Sequence, residues 1–244
     1  MIEQTSEKHW PAVAVFARAP VPGQAKTRLV PLLGAEGAAQ FQAALAHDVI
    51  RKVAWLRGVW RYLFFAGCTP LEWTDCHGGT ARLTGYALVP QRGADLGKRL
   101  EGAYRRLLGH HPGAVVIGTD SPALSAARLR QALCELRWCD AVLGPCPDGG
   151  YYLLGLRRLE KGLFRRIRWG TSFAFRDTLH NLVAGGLSCS VLEPLPDVDR
   201  PADFRELANS LWRRPELRRL APATWSFVRG PRARRVLKHL FENS

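Results

Sequence analysis

Four short stretches of this 244-residue chain combine charge, rigid turns and glycine in ways that suit chemistry on an anionic ligand. In Pro20-Val21-Pro22-Gly23-Gln24-Ala25-Lys26-Thr27-Arg28, two prolines and a glycine stiffen a turn, and Lys26 and Arg28 supply cations where the chain enters a helix. That is a cradle for a diphosphate. It is not a Walker A loop, because the first glycine and the glycine before Lys26 are missing, and a solvated charged loop is the competing reading. Gly118-Thr119-Asp120-Ser121-Pro122 sets an aspartate at the carboxyl end of a buried run, where it can hold a hard divalent cation that also binds diphosphate oxygens. Alternatively Asp120 or Ser121 caps the helix that starts near Ser125. In Asp148-Gly149-Gly150-Tyr151-Tyr152 the glycines permit close backbone approach to a ligand and the tyrosines can pack on a sugar or base; a hairpin tip with core tyrosines fits equally. Asp197 and Asp199, two apart on an extended segment, point the same way and can both face a metal, unless Asp199 caps the helix begun by Pro201.

The elements that must position these loops follow from apolar patterning. Val13–Phe16, Val59–Phe65, Tyr86–Val89, Ala114–Ile117, Asp140–Leu143 and Ser190–Leu192 read as strands. Helices are expected over Gly34–Leu56, Asp95–Leu108 and Ala126–Leu136, from near Thr171, and over Ala202–Leu211. Strands alternating with helices predict an α/β fold, three layers with a mostly parallel central sheet. In such sheets ligands bind beyond the carboxyl ends of the strands, where the four loops fall.

Composition bounds the function classes. With 47% hydrophobic and 23% charged residues the chain is globular in type, long enough for a full core. No apolar run reaches the roughly 18 residues that a bilayer span needs, and the amino terminus has no apolar signal region. The six cysteines form no C-x-x-C pair, so reduced thiols in a cytoplasmic protein are expected, and neither Cys76-His77 nor Cys134/Cys139/Cys146 has zinc-site spacing. The net charge is +14. Residues 213–244 hold nine Lys and Arg against two Glu, which divides the chain into a region 12–212 and a basic carboxyl-terminal appendage, helical over about Ala233–Phe241. The appendage suits contact with an anionic surface or partner, or is a solvated basic helix.

Taken in order, the motifs resemble the bacterial glycosyltransferase-A-fold, or nucleotide-diphospho-sugar transferase, family, related to the nucleotidyltransferases of the molybdopterin and coenzyme F420 pathways. The matching stretches are Phe16–Gly23 with Lys26–Leu29, Gly93–Arg99, Ile117–Pro122, Leu143–Pro145 with Asp148–Gly155, Trp169–Ser172 and Asp197–Asp203. The resemblance implies a nucleotide over the first loop, bound through Arg18, Pro22, Gly23, Lys26 and Arg28, with Asp95 and Arg99 beside it. It implies Mg²⁺ or Mn²⁺ on Asp120 and Asp199, and a sugar or acceptor side shaped by Asp148, Gly149, Gly150, Tyr151, Trp169 and Thr171. The chain lacks the Leu-x-Gly-Gly-x-x-x-Arg loop of sugar nucleotidyltransferases and has Arg200 where threonine is common.

The expected function is therefore metal-dependent transfer of a sugar from a nucleotide-diphospho-sugar to an acceptor, with Asp120 and Asp148 catalytic, Asp148 as the base. Its rivals are a nucleotidyltransferase joining an NTP to a phosphorylated small molecule, and a non-catalytic basic nucleic-acid-binding protein. No RNP, zinc-finger or homeodomain pattern supports the last.

Overall fold

The computed structural model describes residues 10–69, 71–73 and 83–238. Its centre is a seven-stranded sheet. The strands are β1 (Ala12–Arg18), β2 (Trp60–Ala66), β3 (Tyr86–Pro90), β4 (Ala114–Ile117), β5 (Ala141–Pro145), β6 (Tyr151–Leu156) and β7 (Cys189–Val191), in the spatial order β3-β2-β1-β4-β6-β5-β7. All neighbours run parallel except β6, which is antiparallel to both β4 and β5. The Asp148-Gly149-Gly150 stretch is thus the turn of the β5–β6 hairpin.

Alternation along the strands sorts side chains onto two faces. Val13, Val15 and Ala17 pack with Val49 and Val53 of α1 (Val30–Ala54) and Leu129 and Ala132 of α3 (Ala126–Glu135). On the opposite face Ala12 and Ala14 pack with Leu100, Tyr104 and Leu107 of α2 (Leu96–Leu108) and Leu182 of α4 (Ala174–Ala184). Two covered faces explain why β1 and β4 read as continuous apolar runs. The regular part of α1 begins after Gly34, whose backbone (φ 73°, ψ 164°) is non-helical.

Chain direction sets the cleft. The chain steps outward from β1 to β2 and β3, then returns to the other side of β1 as β4, so β1 and β4 diverge at their carboxyl ends. Val15 pairs with Ile117, and Arg18 and Asp120 each lie three residues further along.

The carboxyl-terminal segment is bound into this body. Helices α5 (Pro201–Arg213), α6 (Pro215–Leu220), α7 (Pro222–Val228) and α8 (Pro231–Val236) all open with proline, whose missing N–H costs nothing at the first helical position. Leu217, Val228, Ala233 and Leu237 share a third core with Leu33, Phe41 and Leu45 of α1 and Phe204 and Leu211 of α5. Asp48, fully buried in α1, accepts hydrogen bonds from the backbone N–H groups of Ala223 and Thr224 and from the Thr224 hydroxyl. The boundary expected at residue 212 is therefore a change in surface charge and not a break in the core. The last helix spans Pro231–Val236, shorter than the stretch expected to Phe241; residues 239–241 lie outside the described ones, as do Cys76 and His77. Among the described residues no helix is long and apolar enough to cross a membrane.

Candidate active site at the ends of β1 and β4

A cleft of about 510 Å³ opens where β1 and β4 diverge. Arg18, Lys26, Arg28, Arg99, Asp120 and Asp199, all singled out in the sequence, line it together. Arg18 ends β1, Asp120 follows β4, and Arg99 comes from the first turn of α2.

Lys26 organises the corner. Its backbone is left-handed (φ 48°, ψ 46°), a conformation that costs a non-glycine residue about 1–3 kcal/mol. The ammonium it directs inward is buried, donating to the Val198 carbonyl at 2.7 Å and lying 2.8 Å from Asp120 Oδ1 and 3.8 Å from Asp199 Oδ1. Arg28 closes a second ion pair with Asp199. The segment around Val198 is held by a backbone bond from Val198 N–H to the Asp120 carbonyl, 3.0 Å, and by Asp203, whose carboxylate accepts from the N–H groups of Asp199 and Arg200. Asp203 thus does the capping work considered for Asp199, which is left to its cations. Ser125, not Asp120 or Ser121, caps α3 by accepting from Arg128 N–H.

A second acidic corner adjoins the first. Ligand atoms of Cys146, Asp148 and Asp197 lie within 4.8 Å of one another. Burial, then the Asp148 charge, then that of Asp120 raise the Asp197 carboxyl to about 6, while Lys26 partly offsets them. Burial and the neighbouring acids push the Cys146 thiol far up, so it is protonated at neutral pH. Among the described residues the buried Ser121 hydroxyl has no hydrogen-bond partner of good geometry, and it lies beside the Cys146 thiol. Asp197 and Asp199, expected to face one metal together, engage different partners, because the segment carrying them is irregular rather than a strand.

Two members of this set, Asp148 and Asp197, are crowded oxygen donors that fit a hard divalent cation, whose charge relieves their mutual repulsion; the third, the protonated Cys146 thiol, is a soft group that does not. The space between Asp120 and Asp199 is less suitable, since the Lys26 ammonium lies there and Arg28 holds the outer oxygen.

The remaining residues have local duties. Pro22 and Gly23 form the turn that leads into Lys26 but do not line the cleft. Asp95 caps α2, accepting from Lys98 N–H at 2.8 Å, and Arg99 Nε donates to the Gly93 carbonyl. Tyr151 and Trp169 pack against each other within the α2–α4 core, ring centroids 6.2 Å apart, instead of presenting a platform to the cleft. Thr171 closes a turn, donating to the Arg168 carbonyl and accepting from Phe173 N–H. Gly149 has φ 89°, and a Cβ there would meet the Ser172 carbonyl oxygen at 2.1 Å, so the hairpin tip is pinned to the 171–175 segment.

Sequence reasoning missed the supports beneath Asp120. Gln42 of α1 donates to the Thr119 hydroxyl at 3.0 Å, and the Lys52 ammonium donates to the Pro122 carbonyl at 2.7 Å. Both are buried, and burial lowers Lys52 to about 8. Their signal was a polar residue beside the apolar stripe of Phe41, Leu45, Val49 and Val53.

Comparison with known proteins assigns a family and a fold. Residues 49–171, half of the chain, match the family described as "Uncharacterized protein conserved in bacteria (DUF2064)". The chain belongs to that family. A solved structure of a candidate nucleotide-diphospho-sugar transferase from Desulfovibrio desulfuricans G20 is similar over 96% of this chain and 98% of that one, with 26% identity and a TM-score of 0.82. The fold also recurs in CMP:2-keto-3-deoxy-manno-octonic acid synthetase complexed with CTP (14% identity, 84% and 99% covered, TM-score 0.52). A third neighbour is 4-diphosphocytidyl-2C-methyl-D-erythritol synthase of Anaerococcus prevotii DSM 20548 (10% identity, 84% and 99% covered, TM-score 0.56). No curated protein sequence matches the chain. The fold of this DUF2064 member is that of the nucleotide-diphospho-sugar transferases, as its motifs implied.

Proposed function

We propose that the protein is a nucleotide-using transferase that moves a sugar from a nucleotide-diphospho-sugar to an acceptor hydroxyl. The observation that carries this reading is the convergence of Arg18, Lys26, Arg28 and Arg99 with Asp120 on one cleft at the switch point of the sheet. Near full-length similarity to a candidate nucleotide-diphospho-sugar transferase supports the glycosyl over the nucleotidyl reading.

In this reading the donor diphosphate enters on the side of Arg18, Arg28 and Arg99, whose guanidinium groups match phosphate oxygens in pairs. As the sugar–phosphate bond breaks, charge grows on the leaving diphosphate. Lys26, buried and fixed between Asp120 and Asp199, contributes a preorganised positive charge to that end of the cleft. Asp148, exposed at the hairpin tip beside Asp197, takes the proton of the acceptor hydroxyl. Asp120 with Asp197 would hold Mg²⁺ or Mn²⁺, in preference to the Asp120–Asp199 pair expected from sequence, because among the described residues Asp197 has no arginine partner and Asp199 does. A bound divalent cation there supplies charge neutralisation for diphosphate oxygens. The basic surface of α6–α8 suits an anionic acceptor or surface.

The test is product analysis. Purified protein is incubated with a panel of nucleotide-sugars and, separately, NTPs plus sugar phosphates, with and without Mn²⁺. Release of nucleoside diphosphate with sugar transfer is the expected outcome; pyrophosphate release from an NTP assigns the nucleotidyl reaction instead. Thermal-shift screening of the same ligands selects the panel, because a ligand that binds the native state raises its melting temperature.

A further inference from the structure

A second cavity, of about 500 Å³, lies at the opposite end of the sheet, where β1, β2 and β4 begin and β6 ends. The run from Gly113 to Gly118 separates the two ends by roughly 17 Å at the rise of an extended strand. Val59, Leu133 and Leu136 give the cavity an apolar wall, and Arg57, Arg137 and Arg157 are its charged members. These arginines come from three unconnected segments: the α1–β2 loop, the turn after α3, and the residue that follows β6.

What distinguishes these three is that they line one cavity from separate segments. Among the described residues no carboxylate forms an ion pair with any of the three. The neighbouring Arg158 pairs with both Asp140 and Glu160, and Arg168 pairs with Asp177. Three like charges gathered on one concavity repel, and an anion bound among them removes that repulsion. Trp55 and Trp138, 75% and 83% exposed, stand two residues before Arg57 and one after Arg137, adding aromatic surface near the charge.

We infer that this cavity binds an organic phosphate, with its phosphoryl group on Arg57, Arg137 and Arg157 and its apolar body against Val59, Leu133 and Leu136. A planar guanidinium fork matches phosphate oxygens, and a cavity of this volume suits a ligand of nucleotide or prenyl-phosphate size. The site shares no residue with the cleft and stands whether or not the cleft performs sugar transfer.

Isothermal titration with 2-naphthyl phosphate tests this. One-to-one binding is expected, weakened roughly tenfold by each of Arg57→Gln, Arg137→Gln and Arg157→Gln. 2-Naphthol, which lacks the anion, and inorganic phosphate, which lacks the body, are expected to bind at least about tenfold more weakly. Uridine monophosphate and geranyl phosphate used as competitors distinguish a planar from a chain-like body. The three arginines are exposed, and an unchanged melting temperature confirms that the variants fold. Full affinity in the triple variant, equal binding of 2-naphthol, or failure of both competitors would overturn the inference. So would loss of binding in Lys26→Met with retention in the triple variant, which would assign the phosphate to the cleft.

Discussion

The two acidic corners beside Asp120 differ in how their charge is balanced. At the first, Lys26 lies between Asp120 and Asp199 and Arg28 closes on Asp199, so each carboxylate has a built-in cation. At the second, Asp148 and Asp197 crowd together with no ion pair among the described residues, and burial with the Asp148 charge raises the Asp197 carboxyl although Lys26 partly offsets it. The difference teaches where each kind of charge can be added. In the proposed reaction an incoming diphosphate draws on the cations of the first corner, and the second is where a divalent cation would sit. A transferase that brings phosphate and divalent metal together needs both, side by side.

Changing Asp120, which faces both corners, gives the largest expected effect. Asp120→Ala should lower kcat/KM for transfer by about 10³-fold, through loss of charge stabilisation in the reaction. An active Asp120→Ala protein with unchanged metal dependence would break the comparison. Lys26→Met should cost about 10²-fold in kcat and lower stability by about 1–3 kcal/mol, measured by urea unfolding. The discount from a fully buried pair reflects the partly exposed Asp120. Lys26→Arg is not expected to rescue it, because a fork does not fit where an ammonium meets a carbonyl and two carboxylates.

Gly149→Ala tests the hairpin that carries Asp148. The added methyl group overlaps the Ser172 carbonyl, and about 2 kcal/mol of destabilisation is expected, with kcat falling if the tip moves. The smallest effect is the most diagnostic of the second corner. Asp197 has a native pKa near 6 against an ordinary value of 3.8, so between these pH values the native state holds more protons than the unfolded one, and stability falls as pH rises. The cost of its charge is fully present above pH 6 and vanishes below about pH 4. Asp197→Asn should therefore raise Tm at pH 7.5 by about 2 °C at most, and not at pH 4. Mn²⁺ should narrow that gap by stabilising the wild-type protein, and a gap insensitive to Mn²⁺ would place the cation elsewhere.

Much of the scaffold was legible because its signals are local. Val13–Phe16 and Ala114–Ile117 are apolar without alternation since both sheet faces are covered, and the helix starts expected at Asp95 and near Ser125 match those of α2 and α3, though the capping roles of these two residues emerged only from the structure. The short helices after Arg214 were not legible, because six- and seven-residue segments show too little periodicity, although Pro215, Pro222 and Pro231 each marked a helix start. Tyr151 was expected beside a ligand from its residue type, with a core role as the equal alternative, and Trp169 and Thr171 from the family resemblance. Ring packing and turn hydrogen bonds use them instead, and local sequence does not report which way a side chain turns.

The sequence by itself determined which residues carry charge, where turns place them at strand ends, and hence that a nucleotide-binding cleft was the reading to test. Only tertiary structure decided how those charges pair. Lys26 meets the carbonyl of Val198, 172 residues away, and Asp197 and Asp199 part company two residues apart. The reason is physical: turn chemistry depends on neighbours along the chain, but an ion pair depends on distance and desolvation, which exist only once the sheet has brought distant loops to one end.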